Sequence, residues 1–64
     1  MTARECIALR ALRREHHAAA ARVAEWEDGG DGLVAFDADG RAVACVDVGW
    51  TWLGVRAVVR WVHA

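Results

Sequence analysis

Leu9, Leu12, His16, Ala19, Val23 and Trp26 recur at spacings of three and four, which draws one continuous stripe along a helix. Thr2 followed three residues later by Glu5 matches a capping box, so the helix begins at Ala3. Gly29 and Gly30 end it, which places a helix over about residues 3–27. A coiled-coil seam is one use for such a stripe, but His16 and Ala19 are weak seam residues. Packing against a sheet is the better use.

The rest of the 64 residues changes period. Leu33 to Phe36 and Ala42 to Val48 are short β-prone runs around Asp37-Ala38-Asp39-Gly40. The Asp-Gly pair signals a hairpin turn with Gly40 at positive φ. The string Phe36-Asp37-Ala38-Asp39-Gly40-Arg41 resembles the hairpin of one YD-type repeat, which implies a turn there. Between residues 50 and 63, Val55, Val58, Val59 and Val62 favour a strand, although Arg56, Arg60 and His63 also match one polar helix face. The expected architecture is α+β, one long N-terminal helix packed on a three-stranded antiparallel β-meander (αβββ). It forms a single domain over 1–64: helix about 3–27, acidic connector 28–32, hairpin 33–48, third strand about 50–62.

The core of such a chain is thin. Of 36 apolar residues 14 are alanine, and a domain this small buries only about 60% of its unfolded surface. Stability is therefore small or helped by a partner. Lys, Ser, Asn, Gln, Tyr and Pro are absent. That excludes a serine nucleophile, a Schiff-base amine and a phosphate-loop lysine. Cys6 and Cys45 stand far apart with no C-x-x-C motif, which fits two buried thiols in a reducing compartment. There is no apolar run of membrane-spanning length and no signal-peptide pattern, so the expected location is the cytoplasm, with no membrane partner.

No constellation supports chemistry. His16 and His17 are about 100° apart on a helix and cannot easily share one ion. Zinc-type spacings are missing, and Asp37-x-Asp39-Gly40 lacks the further oxygens of a calcium loop, because Arg41 stands at the next ligand position. Gly29-Gly30-Asp31-Gly32 leads into a strand and is acidic, which does not suit a phosphate cradle. Cys45 lies within an apolar strand, where burial silences a thiol. The reading is no enzyme, no cofactor and no metal.

Charge is unevenly spread. Residues 1–22 hold five arginines against Glu5 and Glu15, a net of +3, and residues 23–47 carry a net of −6. Arg10, Arg13, Arg14 and His17 form a ridge opposite the apolar stripe. Glu25, Glu27, Asp28, Asp31, Asp37 and Asp39 form an acidic band with no cation among them. Carboxylates at a helix C-terminus oppose the macrodipole, so Glu25, Glu27 and Asp28 are misplaced for stability alone. A carboxylate cluster can imitate a run of phosphates. Four tryptophans in so short a chain is also high. Trp26 belongs to the stripe and Trp61 to the sheet core, while Trp50 and Trp52 flank Thr51 in a loop as an exposed anchor pair.

In size, missing catalytic machinery and the acidic patch of Glu25, Glu27, Asp28, Asp31, Asp37 and Asp39, the chain resembles the small phage-encoded anti-CRISPR inhibitors. The resemblance implies a DNA mimic that occupies a basic groove of a CRISPR effector subunit, with no direct nucleic-acid binding. The alternatives are a dimeric nucleic-acid-binding regulator using Arg10, Arg13, Arg14, His17 and Arg22, or a toxin–antitoxin-type module joined to its partner through its tryptophans. The expected state is monomer or weak homodimer.

Overall fold

The computed structural model describes residues 1–30 and 32–63. Helix α1 runs over Ala3–Glu15 and starts on the full capping box. The Thr2 Oγ1 atom accepts from the Glu5 backbone N–H at 3.2 Å, and Glu5 Oε1 accepts from the Thr2 N–H at 3.2 Å. Two otherwise unpaired helix-start donors are thereby satisfied.

The single long helix does not form. His16 leaves helical geometry at φ −141°, ψ 71°, and only a short α2, His17–Ala21, follows. Residues that continued the stripe in sequence then enter a strand, β1, at Glu25–Gly29. Glu25, Trp26 and Glu27 alternate polar, apolar, polar, which is a strand period. The Ala24 N–H donates to Phe36 O at 2.8 Å, committing the backbone to a sheet. As strand residues, Glu25, Glu27 and Asp28 no longer face an opposing helix dipole. The break also turns His16 out to solvent and lets Ala19 and Ala20 pack into the core.

The sheet therefore has four strands, not three. Strands β1, β2 (Gly32–Phe36), β3 (Ala42–Thr51) and β4 (Gly54–Val62) form an antiparallel meander in the order β1-β2-β3-β4. Within the expected acidic connector over 28–32, Asp28 and Gly29 instead end β1, Gly30 is a turn residue and Gly32 begins β2. Gly32 there has φ +141°, and a Cβ at that position would lie 2.8 Å from Val46 O, so no side chain fits. Residues 54–62 are strand, which rules out the helical reading of Arg56, Arg60 and His63.

Helix α1 lies across β3 and β4. Ala8, Ala11 and Leu12 pack with Leu33, Ala35, Val43, Ala44, Val46 and Val48, all buried. Half of the buried core is alanine, so helix and sheet approach closely over small side chains. Register shifts leave Val43 on β3 and Arg60 on β4 as extra residues within their ladders. The two longest strands outrun their neighbours. Beyond Asp47, β3 pairs with β4 alone, and the molecule extends 37 Å along its long axis against 21 and 20 Å across.

Candidate partner-binding surface

The overhang is a two-stranded ribbon that closes at Thr51-Trp52-Leu53-Gly54. Thr51 Oγ1 accepts from the Leu53 N–H at 3.2 Å and donates to Gly54 O at 3.1 Å, which braces the turn with one hydroxyl. Gly54 takes φ +126°, a value that a side chain would resist. Trp50 pairs across the ribbon with Val55. At this end Trp50 is 73% exposed, Trp52 92%, Leu53 79% and Val55 41%. Four large apolar side chains thus stand wholly or partly in water on and beside a braced turn, which makes this end the candidate surface.

Trp50 lies in β3 and Trp52 in its turn, so the loop expected around Thr51 is the end of a hairpin. Leu53 and Val55 were not among the expected site residues. The signal for them was Gly54, which converts Trp-Leu from loop filler into the apex of a turn. Trp61 is not in the core either. It is 41% exposed, with its ring edge-on to His63 at 5.2 Å between centroids. Cys6 is exposed, not buried, since it falls on the solvent side of α1, whereas Cys45 is buried in β3.

Beside the ribbon, α1 and β4 leave a groove of about 740 Å³. Its apolar floor is Ile7, Ala11, Val55 and Ala57, and Arg10, Arg13 and Arg14 rim it. The structure thus brings three members of the arginine ridge to one wall, next to Val55. His17 is exposed on α2 and does not line the groove. Arg22 has other work: its guanidinium donates to His63 O at 2.6 Å, tying the helical segment to the end of β4.

The residues of the acidic band have different settings. Asp28 pairs with Arg4 at 3.2 Å. Asp37 Oδ1 accepts from the Asp39 and Arg41 N–H groups, each at 2.9 Å, and so builds the β2–β3 turn in which Gly40 has φ +81°. Asp31 lies outside the described residues. Glu25, Glu27 and Asp39 are exposed, the first two on an edge strand and the third at the turn. Among the described residues, no three His, Cys, Asp or Glu side chains converge on a point able to hold a metal ion. Nor is any helix among them long and apolar enough to cross a membrane. Compared with family models, curated proteins and solved structures, the chain matches none.

Proposed function

We propose that this protein is a non-enzymatic binding module that engages a protein partner through the tip of the β3–β4 ribbon. One observation carries the reading: the core is built from alanine and valine, while Trp50 and Trp52 are held outside it. Tryptophan serving as core filler would be buried. Exposed tryptophan costs solubility and contributes most in binding hot spots. The neighbouring arginines add a cationic border suited to carboxylates on the partner. Sparse cysteines are the reason to place the binding event in the reducing cytoplasm.

The inhibitor reading, in which carboxylates stand in for phosphates, is carried by Glu25, Glu27 and Asp39. Asp28 is paired with Arg4 in an exposed ion pair and Asp37 Oδ1 is held by its turn, which leaves these two less free to imitate phosphates. A photo-cross-linking residue at position 52 identifies the partner in cells, and three variants then divide the readings. Trp50→Ser/Trp52→Ser/Leu53→Ser should weaken affinity at least ~100-fold, since each lost hot spot contributes about 2 kcal/mol or more. Glu25→Arg/Glu27→Arg/Asp39→Arg should change it less than ~10-fold. If the acidic variant alone abolishes binding, the ribbon reading fails and the mimic stands. If Arg10→Glu/Arg13→Glu/Arg14→Glu alone releases bound nucleic acid, the regulator stands.

A further inference from the structure

The sheet face turned away from α1 carries an apolar strip between charged borders, where an uncovered antiparallel sheet is normally polar throughout. Strand alternation places Val34 and Phe36 of β2, the buried Cys45 and the charged Asp47 of β3, and Val58 and Trp61 of β4 on this face, and none of the five apolar residues belongs to the helix-side cluster. Gly32–Phe36 and Ala42–Val46 are unbroken apolar runs, the pattern of strands covered on both faces. The helices cover only one. Charge marks the two edges of the open face: Glu25 and Glu27 on β1, Arg56 and Arg60 on β4. Arg60 also reaches Asp47 of its own chain at 3.7 Å.

A second copy can lie face to face on this sheet about a two-fold axis in either of two simple ways. With the axis across the strands, β1 meets β1 and glutamates oppose glutamates. With the axis along the strands, β1 of each copy lies over β4 of the other. The row Glu27–Val34–Cys45–Trp61 then faces its own reverse, so Val34 lies over Cys45, and Glu27 over Trp61 and the adjacent Arg60. Both arrangements place the apolar β2 and β3 residues together, but only the second joins opposite charges at the borders.

We propose that the open sheet face is a homodimer interface with its two-fold axis along the strands, bordered by Glu27–Arg60 pairs between copies. Four strands about 4.8 Å apart and five residues long at ~3.4 Å each give a flat footprint of roughly 300 Å² per copy. That is small for a protein interface, so the expected self-association is weak. The same symmetry sends both ribbons out from one end of the dimer. A partner with two sites would meet two tips at once.

Sedimentation of the full chain between about 2 and 500 μM tests this. The wild type should pass from monomer to dimer within that range, and Glu27→Arg and Arg60→Glu should each weaken self-association at least ~10-fold. An equimolar mixture of the two variants should recover wild-type association. In the mixed dimer the introduced arginine of one chain meets the introduced glutamate of the other, and the untouched Glu27 and Arg60 meet on the opposite border. A wild type that stays monomeric, a single variant that dimerises as the wild type does, or a mixture no tighter than its components would overturn the proposal. Circular dichroism detects a variant that fails to fold. In that case Glu27→Gln and Arg60→Gln replace the reversals, each expected to loosen the dimer at least ~3-fold at low salt, and no change in either would count against the interface.

Discussion

Strands β3 and β4 run through two regions built on opposite terms. In the base, β3 lies between β2 and β4 under α1, and its residues from Val43 to Val46 are buried. In the ribbon, the same strands lose the third strand, keep the helix beside them only as far as Val48, Val55 and Ala57, and carry their largest side chains at the uncovered tip. An isolated two-stranded ribbon is marginal in water, so this one is held by its continuity with the base. Folding free energy is concentrated in the alanine–valine base, and the costly aromatic surface is displayed where it contributes little to folding. Under the proposed function, stability and recognition are separated along one hairpin.

Truncation in the base should have the largest effect. Leu12 is fully buried and is among the largest side chains in the core. Leu12→Ala should lower unfolding free energy by about 2–5 kcal/mol in urea titration, enough to unfold a domain this small at modest temperature. Next is Gly32→Ala, where positive φ and the approach of Val46 O leave no room for a Cβ. Its expected cost is about 1–3 kcal/mol by the same measurement. Removing the cap with Thr2→Ala should cost about 1 kcal/mol and reduce helicity measured by circular dichroism. Trp26 sharpens the contrast from another side. Its Nε1 is buried with no hydrogen-bond partner among the described residues, so Trp26→Phe loses ring area but also removes an unsatisfied donor. The two effects oppose, and unfolding free energy should shift by less than about 1 kcal/mol.

Short-range signals were the legible part of this fold. The capping box at Thr2 and Glu5 and the Asp-Gly turn at Gly40 each act within four residues, and both are present. The long helix does not form because alanine-rich residues 17–21 sustain any stripe without committing to it, and β1 is a tertiary choice made by pairing with β2. The misfit is visible in the sequence: three carboxylates at a helix C-terminus oppose its dipole, which argues against a helix that continues through them. The site was half legible. Trp50 and Trp52 stood out by residue type, but whether a tryptophan is filler or anchor depends on how far β3 and β4 outrun β2, a length that no local pattern encodes. Trp61 shows the converse, as it sat in a convincing strand yet lies on the uncovered face.

The division of labour between base and ribbon is tested most directly by urea unfolding of Trp50→Ser/Trp52→Ser/Leu53→Ser beside the wild type at matched concentration. Since all three side chains are largely in solvent, the unfolding free energy should agree to within about 0.5 kcal/mol. A loss of about 2 kcal/mol or more would mean that the tryptophans support the fold, and the ribbon tip would then be part of the core and not a surface kept for a partner.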